Sequence, residues 1–157
     1  MRDEPKKPRK TNKGRFTPKN PKKYKGDPTN IIWRSSWERK VMSWLDTNSN
    51  VLQWASEEII VPYYDPTEGR NRRYFPDFVV VAKGANGKNR ILMLEVKPEA
   101  QTIEPKLQKR KTERYLTEVK TWGTNQAKWK AAREFCEIRG WEFHLVTEKS
   151  IFGVKKR

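Results

Sequence analysis

Tyr74-Phe75-Pro76-Asp77-Phe78-Val79-Val80-Val81 and, after a turn, Ile91-Leu92-Met93-Leu94-Glu95-Val96-Lys97 decide how this chain folds. Both apolar runs have the length and β-branched content of buried strands, and Gly84-Ala85-Asn86-Gly87-Lys88 between them supplies a turn. Each run carries charge where a buried strand should have none. Asp77 stands where the first run goes into the core, and Glu95 and Lys97 end the second. Residues two apart on a strand share a face, so Glu95 and Lys97 point the same way. If the strands pair through the turn, two carboxylates and an ammonium meet at one end of a sheet. Burying charge costs free energy unless the groups are paired or hold a metal, so stability alone does not ask for this arrangement.

Composition narrows the chemistry. At 157 residues the chain has room for one domain of ordinary size. The hydrophobic fraction of 34% is low, but seven Trp and six Phe are enough to build a core. The formal net charge is +16 and unevenly placed: residues 1–25 hold eleven Lys/Arg against Asp3 and Glu4, a net +9 that leaves +7 for the rest. A basic tail on a basic domain points to a polyanion, nucleic acid first. A membrane is disfavoured, since no long apolar span or amphipathic anchor is visible. Cys136 is the single cysteine, which excludes a disulfide framework and a Cys-based metal site. His144 is the single histidine, which excludes His–His metal sites. With no apolar signal region after Met1, synthesis in a reducing, intracellular compartment is expected. Hydrolytic chemistry here must run on carboxylates, lysine and a bound cation.

Taken in order, residues 1–30 contain five of the ten prolines and almost nothing apolar besides Phe16 and Tyr24. They are expected to form a basic, extended arm, mobile or ordered by a partner, ahead of a single domain over 31–157. The arm reads either as a DNA tether or as a docking segment for protein. Trp33, Trp37, Val41, Trp44 and Leu45 predict an amphipathic helix over roughly 34–46. Glu38 lies beside its apolar face, and Ser35-Ser36-Trp37-Glu38 matches a capping box. A metal or water ligand is the other reading of Glu38.

Glu58–Tyr63 predicts a short strand with Pro62 at its edge, and Asp65–Gly69 a turn. Arg72 and Arg73 then make either a solvated strand entrance or phosphate contacts. Lys106, Lys109, Arg110, Lys111 and Arg114 form a basic cluster, read as a DNA-contacting helix that ends near Trp122-Gly123-Thr124. A further helix over Ala127, Ala131, Ala132, Phe135, Cys136 and Ile138 stops at Gly140, which makes Cys136 a packing residue. Gln126, Lys128 and Lys130 in its first turns could face a substrate. Trp141–Val146 alternates as a last strand, with His144 a structural side chain. The order is helix, three strands, one or two helices, strand: an α/β fold.

Mg²⁺ suits such a site, because it takes oxygen ligands from one or two carboxylates and keeps several waters. Asp77 and Glu95 fit as ligands, the backbone carbonyl of Val96 could add a neutral oxygen, and Lys97 could position water and offset negative charge. Pro76-Asp77 followed eighteen residues later by Glu95-Val96-Lys97 resembles the PD-(D/E)XK nuclease superfamily. The resemblance implies a restriction-endonuclease-like αβββαβ core, a four-stranded mixed sheet flanked by helices, and Mg²⁺- or Mn²⁺-dependent DNA cleavage. It also places Glu38 in the superfamily's accessory acidic position.

Tyr24–Ile32, Arg34-Ser35, Trp37-Glu38, Ser56–Tyr63 and Arg73–Phe78 together resemble the head completion nucleases of T-even-type tailed phages, across about residues 16–150. That likeness implies an endonuclease, possible exonuclease action as well, and a place at the head–tail vertex of the virion. It also implies host cytoplasm during assembly, with head, portal or neck proteins as partners. The rival readings are a structural DNA-binding protein joining head to tail, and a resolvase or transposon-type nuclease on the same scaffold.

Overall fold

The computed structural model describes residues 13–151. Its centre is a four-stranded mixed sheet built from β3 (Val51–Ser56), β6 (Phe78–Lys83), β7 (Asn89–Val96) and β8 (Glu142–Val146), in the order β3-β6-β7-β8. β6 and β7 pair antiparallel through the Gly84–Lys88 turn, with Phe78 opposite Leu94 and Val81 opposite Ile91. β8 joins β7 in parallel, Val96 opposite Val146. The mixed α/β architecture is the one expected.

Alternation along the strands divides the core in two. Phe78, Val80 and Leu94 face α1 (Ser36–Thr47), which buries Val41, Met42 and Leu45 against them. Val79 and Met93 point to the other side and meet α2 (Glu113–Arg139), which buries Trp129, Ala132 and Cys136. A period-two strand with one helix on each face leaves no polar face, so both runs read as continuous hydrophobe. Cys136 is buried with its Sγ 3.8 Å from Met93 Sδ, a packing residue as expected. His144 is half exposed and lies 3.2 Å from Glu142, which also holds Arg90.

Four expectations about the elements need correction. The sheet strand preceding β6 is β3, whereas Glu58–Tyr63 contributes to a separate hairpin of β4 (Val61–Asp65) and β5 (Arg70–Tyr74). Trp54 decides this: fully buried in β3, it gathers Phe16, Tyr24 and Phe78 edge-on at 5.9, 4.7 and 6.2 Å.

Those contacts also overturn the arm as drawn to residue 30. β1 (Gly14–Phe16) pairs with β2 (Ile31–Trp33), and Tyr24 is buried. Asp46, itself buried, accepts the amides of Lys19 and Asn20. The domain therefore includes residues 13–30 of the expected arm, and the rest of that arm lies outside the described residues.

The third correction concerns the stop expected at Trp122-Gly123-Thr124, because of the one or two helices expected there the structure has one. Thr112 caps α2 by accepting from the Tyr115 amide, and the helix runs through Gly123 to a left-handed C-cap at Gly140. Glycine inside a helix costs about 1 kcal/mol against alanine. Here a Cβ would meet Thr67 Cγ2 at 3.0 Å, so the missing side chain admits the β4–β5 turn against the helix. Lys106, Lys109, Arg110 and Lys111 precede α2 and are not helical. Fourth, Ile138 is 83% exposed and off the packed face, which runs instead through Tyr115, Asn125, Trp129, Ala132 and Cys136.

Candidate active site

The end of the sheet where β6 begins and β7 finishes carries the charges. One register step beyond the Phe78–Leu94 pair, Asp77 faces Glu95. The Val96 amide donates to Asp77 Oδ2 at 2.7 Å, tying the carboxylate to the neighbouring strand. A strand residue directs its N–H and C=O to the same side, so the Val96 carbonyl also points toward Asp77. Lys97 bonds the other way, its amide donating to Val146 of β8 at 2.9 Å.

Tyr74, buried at the end of β5, donates its hydroxyl to Glu95 Oε2 at 2.5 Å. Lys97 Nζ lies 3.8 Å from the other oxygen, Oε1. Hydrogen bonds thus hold one named oxygen of each carboxylate, Oδ2 of Asp77 and Oε2 of Glu95. Burial pushes the Asp77 carboxyl well above the usual carboxylate range, and the neighbouring charges of Glu95 and Glu38 push it further. Glu95 is also raised by burial, against the pull of the Tyr74 hydrogen bond and of Lys97 and Lys128. The two acids are costly to ionise together until a cation arrives, and this is the behaviour of a metal-binding pair.

The capping reading of Glu38 is met by one bond of the box and a shifted second one. Ser35 Oγ accepts from the Glu38 amide at 3.1 Å, and Glu38 Oε2 accepts from the Arg34 amide at 3.0 Å, one residue before the cap. The side chain also lies within electrostatic reach of Asp77 and Lys97, and burial raises its carboxyl.

Among the described residues no three His, Cys, Asp or Glu side chains converge as a metal cage. A cation would therefore rest on Asp77, Glu95, the Val96 carbonyl and water. That all-oxygen set with two carboxylates fits Mg²⁺ or Mn²⁺ and does not fit structural zinc.

Two residues beside these acids carried no local signal. Tyr74 reads in sequence as the first residue of a strand. Its ring has the Lys128 ammonium 5.6 Å from the centroid, and burial with the nearby charge of Lys97 lowers that lysine. Glu57 is the second. Its φ of 54° is the one positive value outside glycine among the described residues, its amide donates to the Asp77 carbonyl at 3.1 Å, and its carboxylate pairs with Arg34. Strain of that kind persists only where its surroundings hold it, and here it fixes the chain beside Asp77.

The remaining expected DNA contacts divide. Arg72 is bound to buried Asp65 at 3.0 Å, and Asp65, held down to about 2 by Thr67 and Arg72, needs that countercharge. This ion pair ties β5 to the end of β4 and fixes the hairpin. Arg73 beside it is exposed. Gln126 and Lys130 sit on a different face of α2 from Lys128 and line a groove with Tyr64 and Pro66. Lys109, Arg110 and Lys111 are exposed.

Over residues 48–148, which span all four sheet strands and the Asp77–Lys97 cluster, the sequence matches the family described as TnsA-like endonuclease N terminal. The chain belongs to that endonuclease family. It is also 38% identical over 142 residues to the "Head completion nuclease" of Enterobacteria phage T4, an alignment covering 88% of this chain and 92% of the relative. The fold around the charged sheet end is the restriction-endonuclease-like one.

Proposed function

We propose that this protein is a divalent-metal-dependent deoxyribonuclease that cuts double-stranded DNA during phage head completion and the joining of heads to tails. The observation that carries the chemistry is the approach of two carboxylates, half-buried Asp77 and buried Glu95, one residue beyond the last β6–β7 pair, with Lys97 just past the end of β7 and 3.8 Å from Glu95. The biological setting rests on likeness to the phage relative.

A phosphodiester resists hydrolysis because water must attack an anion. A bound Mg²⁺ or Mn²⁺ offsets charge on the phosphoryl oxygens and acidifies water. Asp77, Glu95 and the Val96 carbonyl would hold the ion. Tyr74 fixes which oxygen of Glu95 is offered, and the Val96 amide does the same for Asp77. Lys97 and Lys128 bring two ammonium groups to the same end of the sheet, where they offset the negative charge that grows in the transition state. Glu38, near Lys97, is placed to orient the attacking water or the lysine. Activity of this kind fits the virion and the host cell during assembly, with head, portal or neck proteins as docking partners. No helix among the described residues is long and apolar enough to cross a membrane.

Nicking of supercoiled plasmid by the purified chain tests the proposal. Cleavage is expected with Mg²⁺ or Mn²⁺ and not with EDTA. Asp77→Asn and Lys97→Met should each lower it by at least about 100-fold, the scale of losing one preorganised charge-stabilising group. Nicking at the wild-type rate in both variants would remove the reaction from this site, and DNA binding with no cleavage under any cation would favour a structural joining role.

A further inference from the structure

Tyr74 and Phe75 are consecutive in extended chain, so their rings point to opposite sides. Tyr74 goes inward to Glu95, and Phe75 goes outward and is 42% exposed. Only Pro76 separates Phe75 from Asp77. Extended chain advances about 3.3–3.6 Å per residue, so the Phe75 and Asp77 Cα atoms are at most about 7 Å apart, about two nucleotide steps.

Phe75 borders a groove of about 470 Å³ lined by Pro62, Arg70, Asn71, Arg72 and Arg73, with no carboxylate among the lining residues. The three arginines are not equivalent. Arg70 is tied to Glu68 at 2.9 Å and Arg72 to Asp65 at 3.0 Å. Arg73 makes no ion pair among the described residues, and its guanidinium stands 6.0 Å from the Phe75 ring centroid, the outer limit of a cation–π contact. The groove therefore offers an aromatic face, an uncommitted cation and the exposed side chain of Asn71.

We infer that this groove, with Phe75 as its platform, is a stacking site for an unpaired DNA base beside the scissile bond, giving the enzyme a preference for frayed or overhanging ends over intact duplex. Aromatic faces and guanidinium groups bind single-stranded nucleic acid in this way, by stacking on any base and tracking the backbone charge. A base inside a duplex is already stacked on both faces and cannot offer one. An apolar protein segment fits poorly here, because one aromatic ring is surrounded by three arginines. The inference rests on the nuclease reading above.

The test uses full-length Asp77→Asn protein, which binds without cutting, and duplexes that are blunt or carry a short overhang. 2-Aminopurine placed at the first unpaired position reports stacking by loss of emission. Quenching on saturation is expected, together with affinity for the overhang about tenfold above that for the blunt duplex. Phe75→Leu should abolish both while leaving blunt-duplex affinity unchanged, and Phe75→Trp should keep both, which separates stacking from a packing defect. Unquenched emission at saturation, or an undiminished preference in Phe75→Leu, overturns the inference. Plasmid nicking by the wild-type chain separates the two ideas. Nicking without quenching removes only the stacking site, and quenching without nicking under any cation removes only the nuclease.

Discussion

Asp77 shows how one carboxylate can be unfavourable for the fold and necessary for the chemistry. Its acidity is suppressed first by burial, then by Glu95 and Glu38, and only the Val96 amide and Lys97 oppose the shift. A carboxyl whose folded-state pKa is raised contributes stability that is fully present below its unfolded value and is lost as pH rises through the folded value. Without a cation, Asp77 and Glu95 should therefore make the protein less stable on going from mildly acidic to neutral pH. Asp77→Asn removes one member of the pair, so thermal melting in EDTA at neutral pH should occur a few degrees higher than in the wild type, with a flatter pH dependence. Added Mg²⁺ or Mn²⁺ at a hundred times its Kd should stabilise the wild type by about 2.7 kcal/mol, or about 5–10 °C. The variant should barely respond. A wild-type melting temperature indifferent to cation would remove the metal from these carboxylates. Proton competition for the same oxygens also predicts that nicking rises with pH across the weakly acidic range.

At the scale of elements, the segment from Lys13 to Trp33 is held to the domain by one aromatic cluster and one buried acid. Phe16 and Tyr24 lean on Trp54, while Asp46 accepts two amides from Lys19 and Asn20. Lys23 adds bonds to the Asp46 and Asn48 carbonyls at 2.9 and 2.8 Å, satisfying the C-terminal end of α1. Hydrogen bonds to a charged group contribute about 1.5–3 kcal/mol each. Asp46→Ala should accordingly cost about 3 kcal/mol in urea unfolding and expose the Lys19 and Lys22 bonds to trypsin before the domain unfolds. Equal trypsin resistance in wild type and variant would show that the aromatic cluster alone holds the segment. Composition concealed this arrangement. Phe16 and Tyr24 stand eight residues apart among lysines and prolines with no periodicity, and only the position of Trp54 across the fold makes them core. The same logic separates β3 from β4. Both are short apolar runs near turns, and the choice between them depended on which one met β6. Gly123 read as a helix stop because its reason for being glycine, Thr67 against the helix, lies more than fifty residues away.

For the molecule as a whole, what was legible in advance was what apolar surroundings made conspicuous. Asp77, Glu95 and Lys97 interrupt runs that a sheet would otherwise bury, so their convergence followed from strand pairing. Tyr74 and Glu57 act from a hairpin and a loop, and no local pattern ties them to those acids. Charge is the property that survives without such detail. The net +16 is far above what folding asks for, and self-repulsion of that size disfavours compaction unless a polyanion offsets it. Because residues 13–30 belong to the folded domain, the arm is properly tested by removing residues 1–12 alone, which carry Arg2, Lys6, Lys7, Arg9 and Lys10. Each phosphate neutralised on duplex DNA contributes about 0.9 to the slope of log affinity against log salt, so five cations can account for at most about 4.5. The truncated protein should bind duplex more weakly at low salt, with a slope shallower by about 2–4, and nick at an unchanged rate once DNA is saturating. An identical slope before and after truncation would assign those residues to a protein contact, and the charge that grips DNA would then lie on the domain itself.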